Sequence, residues 1–146
     1  MRTLEAKRDE ARDRLREYNI RPSQQRVAIM QYLLNHYTHP SVDEIYDNLS
    51  PLVPTLSKTT VYNTLRMFAD VGAACMVTID DHHVMYDGNN HPHAHFICRR
   101  CGCVKDMHGD ELVPEAHPRR MQDGCLIDEE QIYYKGICPE CLGNAE

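Results

Sequence analysis

The sequence predicts an α+β chain in two parts, a helical N-terminal unit closed by a β-hairpin and a smaller α+β C-terminal unit stapled by cysteines. Three observations carry that prediction. Apolar residues recur with helical period through the first 72 residues, and alternation of period two begins after Gly72. The formal charge of −6 is unevenly divided: residues 1–72 carry 10 Lys/Arg against 9 Asp/Glu, and residues 73–146 carry 6 against 13. Two Cys-x2-Cys pairs, Cys98/Cys101 and Cys138/Cys141, bracket much of the second part. Each part is near the size, roughly 70 residues, at which burial alone gives marginal stability, so a metal staple or a dimer interface is expected. The expected boundary separates residues 1–87 from 88–146, with the hinge in the His- and Asn-rich stretch from Asp87 to Pro92.

The first helix is read from Leu4 to Glu17, capped by Thr3, with Leu4, Ala11 and Leu15 as a thin apolar stripe among arginines, which predicts light burial. Ser23 caps a second helix to about Asn35, with Val27, Met30 and Leu34 on one face, and His39-Pro40 closes the segment. Ser41-Val-Asp-Glu44 has capping-box spacing and opens a short third helix to about Leu49, after which Pro51 and Pro54 force a loop. Ser57 caps a fourth helix ending near Gly72. Its Val61, Leu65 and Phe68 point inward, while Thr59, Tyr62, Asn63 and Arg66 form an opposite line of hydrogen-bonding, aromatic and cationic groups. Residues 74–79 and 84–86, joined through Asp80-Asp81, read as a hairpin. Helices followed by a hairpin make a winged helix-turn-helix, whose last helix enters the major groove of DNA. The second part predicts strands at 93–98, 103–107 and 125–134 and a helical stretch near 110–116.

Composition excludes several classes. Met1 to Arg16 is charged throughout, and no run approaches the roughly 18 apolar residues of a membrane span, so a cytoplasmic protein with no membrane partner is expected. In that compartment paired cysteines indicate metal rather than disulfides. Each knuckle aims two thiolates at one ion, and Cys98, Cys101, Cys138 and Cys141 complete a tetrahedral sulfur shell suited to structural Zn²⁺. Cys103, one strand step beyond, could compete for that ion; Cys75 and Cys125 read as small core residues.

The chain has nine histidines, and five of them, His82, His83, His91, His93 and His95, cluster around the hinge. On a strand, His93 and His95 project to one face, so both imidazoles can meet one ion. Asp87, Asp106 and, from the helical part, His39 are the remaining candidate ligands. A mixed imidazole and carboxylate shell suits Fe²⁺ or Mn²⁺, although Zn²⁺ or Cu²⁺ could invade it. His36, His82, His83, His91, His108 and His117 read as solvated or capping groups.

The run Ser57-Lys-Thr-Thr-Val-Tyr-Asn-Thr-Leu-Arg66, then His93-Ala-His95-Phe-Ile-Cys98-x2-Cys101-Gly, then Cys138-x2-Cys141, resembles the ferric uptake regulator family from about residue 10 to residue 142. The resemblance implies a homodimeric bacterial repressor with an N-terminal winged helix and a C-terminal dimerisation domain, binding an A·T-rich inverted repeat in double-stranded DNA. Within the family the chain is most similar to the peroxide-sensing branch, whose regulatory ligands match His39, Asp87, His93, His95 and Asp106. Asp106 and Asn63 stand where iron sensors usually carry Glu and Arg. Pro92, Ala94, Val113 and Glu130 stand at or beside the ligands of a further metal site, which is therefore absent or altered here. The resemblance also implies a phosphate contact by Arg26, and iron-catalysed oxidation by hydrogen peroxide at His39 and His93 as the signal.

Thr59, Tyr62, Asn63 and Arg66 would then face DNA, with Tyr62, Asn63 and Arg66 placed to read base edges. The alternative within the family is an iron-responsive repressor that releases DNA when Fe²⁺ is lost. Two other classes compete: a non-haem iron or zinc enzyme, and a structural zinc module that binds protein through its acidic half. No H-E-x-x-H, P-loop, G-x-S-x-G or dinucleotide motif is present, and an enzyme would leave the line on the fourth helix unexplained. The expectation is a regulator and not an enzyme.

Overall fold

The computed structural model describes residues 4–36, 38–80, 83–91, 93–107, 119–128 and 130–143. They separate into two compact units, Met1–Asn90 and His91–Glu146.

The first unit contains α1 (Leu4–Glu17), α2 (Gln24–Asn35), α3 (Val42–Leu49) and α4 (Lys58–Val71), followed by the antiparallel pair β1 (Cys75–Asp80) and β2 (His83–Asp87). The three expected serine caps are in place. Ser23, Ser41 and Ser57 accept from the N–H groups of Arg26, Glu44 and Thr60 at 3.2, 3.2 and 3.1 Å, each satisfying a donor that the helix start leaves free. Gly72 ends α4 at φ +84, a conformation open to glycine because it has no Cβ, and the Ala73 N–H closes the turn on the Phe68 carbonyl at 2.8 Å. Val61, Leu65 and Phe68 of α4 are completely buried with Ile29, Met30 and Leu33 of α2 and Ile45 of α3.

α1 is packed more tightly than its thin stripe predicts. Ala11 and Leu15 are completely buried, and the basic side chains are used across the unit. Lys7 Nζ donates to the Leu34 carbonyl at 3.2 Å, and Arg14 donates to the carbonyls of Ala73 and Gly88. Long cationic side chains thus fasten α1 to the end of α2 and to two loop carbonyls, a role that apolar periodicity does not register. The predicted cap Thr3 and the predicted helical stretch at 110–116 lie outside the described residues.

The second unit is built on β3 (Ala94–Cys98), the central strand of a three-stranded sheet. It runs antiparallel to β4 (Val104–Met107) and parallel to β7 (Tyr133–Gly136). A small ribbon pairs β5 (Arg119–Arg120) with β6 (Leu126–Ile127), and α5 (Pro139–Gly143) ends the described chain. The strand expected at 125–134 is two elements in different sheets, separated where the charged run Asp128-Glu129-Glu130 interrupts the apolar alternation. Cys125 is exposed and Cys75 half-buried, so neither is the core residue expected of it. Among the described residues no helix is long and apolar enough to cross a membrane.

Candidate nucleic-acid interface and metal centres

The helical period that buries one face of α4 turns the other outward. Thr59, Tyr62, Asn63 and Arg66 are all exposed, and Tyr62 keeps 46% of its surface open although it is a large aromatic. Beside this line lies a polar recess of about 510 Å³ lined by Arg21, Ser23, Gln25, Arg26, Thr60 and Thr64. Arg26 donates to the Arg21 carbonyl at 2.9 Å, which holds its guanidinium at the start of α2, where the helix dipole is positive. Arg21 joins Arg26 in lining this recess, and sequence reasoning missed it because it precedes the helix. An exposed line of hydrogen-bonding, aromatic and cationic side chains next to a recess lined by two arginines has the composition expected of a surface suited to a phosphate backbone and base edges.

His39 and Asp87 meet inside the first unit. His39 is 3% exposed, Asp87 is completely buried, and Nε2 of the one stands 3.4 Å from Oδ2 of the other. Two features hold them. The Tyr86 N–H donates to the Pro40 carbonyl at 2.9 Å, fastening the 39–40 segment to β2, and the Asn89 N–H donates to Asp87 Oδ1 at 2.9 Å. His39 has φ +59, in the left-handed region that costs a non-glycine residue about 1–2 kcal/mol. Strain at a buried polar residue is a recurrent mark of functional sites.

His93, His95 and Asp106 meet inside the second unit. His93 precedes β3 by one residue and shares a face with His95, so their Nε2 atoms are 3.0 Å apart. The β3–β4 register sets Asp106 directly opposite His95. Its Oδ1 lies 3.2 Å from Nε2 of His93 and 3.5 Å from Nε2 of His95. The Nδ1 of His93 is 2.6 Å from the His91 carbonyl, which orients the ring and fixes Nδ1 as the protonated nitrogen, freeing Nε2 to act as a ligand. The ring of His95 stacks at 5.9 Å on Tyr133, its register partner on β7. Two imidazole nitrogens and a carboxylate oxygen converging in this way are a donor set of the kind that can hold a metal ion.

Five cysteines gather at the other end of β3. The Sγ atoms of Cys98, Cys101, Cys103 and Cys138 all lie within 4.8 Å of one another. Cys141 is buried in the same cluster, with its thiol beside those of Cys138, Cys101 and Cys98. N–H groups from both knuckles are aimed at one sulfur, since Cys98 Sγ accepts from the N–H groups of Cys101 at 3.5 Å and Cys138 at 3.4 Å. Those N–H groups pull the Cys98 thiol down to about 5, so it is a thiolate at neutral pH. Burial and then the sulfur neighbours push Cys103 up to about 12; contact with Cys138 first and burial second do the same to Cys141. Sulfurs bound to zinc at ~2.3 Å sit about 3.8 Å apart in a tetrahedron. The 3.7 Å between Cys101 and Cys138 matches that edge, so these residues fit Zn²⁺. The sequence places Cys103 one strand step beyond the knuckle as a competitor for the ion, and the structure brings its sulfur into the set.

Comparison with known proteins agrees with this geometry. The model of the Ferric uptake regulator family matches residues 17–135. The chain is 38% identical over 140 residues to the peroxide-responsive repressor PerR of Staphylococcus aureus, covering 95% of this chain and 94% of that one. Among solved structures it resembles PerR from Streptococcus pyogenes at 32% identity with a TM-score of 0.50, over 92% of each chain. A zinc uptake regulator complexed with zinc and DNA shares the fold at 18% identity and a TM-score of 0.66, over 99% of this chain and 98% of that one. The chain therefore belongs to the ferric uptake regulator family.

Proposed function

We propose that this protein is a metal-dependent transcriptional repressor that senses hydrogen peroxide through oxidation of the histidines holding its regulatory iron. The observation that carries the reading is the donor chemistry. His39 and Asp87 in the first unit, and His93, His95 and Asp106 in the second, are imidazoles and carboxylates with no thiolate among them, a set that suits Fe²⁺ or Mn²⁺. Only residues 88–92 separate Asp87 from His93 along the chain. The name of the S. aureus relative supports peroxide as the signal.

In this reading His39, Asp87, His93, His95 and Asp106 together hold the regulatory ion, and Cys98, Cys101, Cys138 and Cys141 hold structural Zn²⁺. The protein acts as a cytoplasmic homodimer on an A·T-rich inverted repeat. Thr59, Tyr62, Asn63 and Arg66 face the DNA, and Arg26 contacts a phosphate. A ligand set drawn from both units favours one arrangement of them, and if that arrangement fits both half-sites, metal and operator binding are reciprocally coupled. Bound Fe²⁺ supplies the reducing equivalents for cleaving peroxide, which Mn²⁺ does not. Oxidation at a carbon of the His39 or His93 ring withdraws electron density from Nε2, so the ring no longer donates well and the clamp is lost. Each event consumes one sensor, so the protein is not an enzyme.

The test is DNA binding by the Fe²⁺-loaded protein under anaerobic conditions, before and after one equivalent of peroxide, with the Mn²⁺ form as control. Irreversible release by the Fe²⁺ form alone, with oxygen mapped to His39 or His93, is the expected result. If both forms stay bound until a chelator is added, the protein reports Fe²⁺ level and the peroxide reading fails.

A further inference from the structure

We propose that Cys103 is a zinc ligand that shares the fourth coordination position of the sulfur site with Cys141. The inference rests on the zinc reading of that site. Zn²⁺ in a structural site takes four ligands, and five thiols surround this one. The set whose sulfurs lie within 4.8 Å of one another contains Cys103 alongside Cys98, Cys101 and Cys138.

The backbone explains how Cys103 arrives there. Gly102, at φ +76, reverses the chain directly after the first knuckle, and nothing within 4 Å occupies the place of its absent Cβ. The Cys98 N–H then donates to the Cys103 carbonyl at 3.0 Å, and the Gly102 N–H to the Cys98 carbonyl at 2.9 Å. Cys103 is thereby held across from Cys98 as β4 begins.

The two competitors stand on elements of different strength. Cys141 lies on α5, a five-residue helix at the end of the described chain, tied back by the Arg100 guanidinium on its own carbonyl at 3.0 Å and by the Lys105–Glu140 pair at 3.4 Å. Exposed ion pairs hold weakly, and a helix of little more than one turn is marginal by itself. Cys103 stands beside a three-stranded sheet. When α5 opens, Cys103 closes the shell, so zinc survives an excursion that would expose it in a four-thiol site.

The experiment compares the full-length wild type with Cys103→Ala, Cys141→Ala and the double variant, measuring zinc per chain by atomic emission after an identical chelator challenge. Both single variants should keep about one zinc and the double variant should lose it. Loss from Cys141→Ala equal to that of the double variant would overturn the inference. Absence of zinc from the wild type would instead overturn the zinc reading, and this inference with it. Because Cys141→Ala removes a buried group, a second measurement uses the wild type alone. Limited iodoacetamide labelling of the zinc-loaded protein should divide between Cys103 and Cys141. Label confined to Cys103 with zinc retained and Cys141 protected would show a fixed four-thiol site and overturn the proposal.

Discussion

Single residues set the chemistry of each centre, and their substitution separates the centres. His93→Ala removes a ring whose Nε2 lies 3.2 Å from Asp106 Oδ1, yet His93 is five residues from the nearest site cysteine. We expect it to abolish Mn²⁺-dependent DNA binding while zinc content stays at the wild-type level, measured by fluorescence anisotropy and atomic emission on one sample. Equal loss of zinc would mean that the ring is structural. Ser57→Ala removes only a cap. The hydroxyl accepts from the Thr60 N–H at 3.1 Å, and losing such a bond costs about 1 kcal/mol, so the urea midpoint of the first unit should fall while its metal response is unchanged. Cap, stripe and the pairing of His93 with His95 were all legible in the sequence because each depends on residue type at fixed spacing. The left-handed backbone of His39 was not, because it is imposed by the fastening of the following Pro40 carbonyl to β2.

At the scale of elements, α4 and the turn after β2 make distinct demands. Asn63→Ala should weaken discrimination at one base pair by about 1–3 kcal/mol with the salt dependence of binding unchanged. Arg26→Ala, beside the cationic recess, should instead weaken binding to all sequences and lower the salt slope by about 1. Titrations of matched and mismatched duplexes over a salt series distinguish the two. Gly88 follows Asp87 where the chain leaves β2, and a Cβ there would stand 2.9 Å from the Leu33 carbonyl oxygen, which is backbone and cannot swing aside. Gly88→Ala should therefore destabilise the first unit by the ~1–3 kcal/mol typical of overpacking, lowering its melting temperature, and displace the adjacent Asp87 enough to weaken Mn²⁺ binding. Wild-type melting and Mn²⁺ affinity would show that the turn yields. Helices and hairpin were readable from periodicity, whereas the division of 125–134 between two sheets was not. Strands of two and four residues are too short to display alternation.

For the whole molecule, the two units differ in what keeps them folded. The first has a continuous apolar core contributed by all four helices. Among the described residues of the second, the buried cluster is Cys98, Cys138 and Cys141 with Phe96, Cys103 and Ile137 packed against it, so sulfur makes up much of it. Structural zinc contributes roughly 10–16 kcal/mol of apparent binding free energy at neutral pH, far above what so small a cluster gains by burial. Stripping zinc should therefore remove hydrogen-exchange protection from β3, β4 and β7 while α2 and α4 keep theirs. Retained protection in β3 would show that the sheet stands without the ion.

The strand at the centre of that sheet carries His95 at one register position and Cys98 three residues on, about 10 Å away. Whatever frays one end of β3 therefore disturbs the other. Under the function proposed above, a cell starved of zinc would switch on the genes it keeps for oxidant attack although no oxidant is present: a false alarm wired into the length of a single five-residue strand.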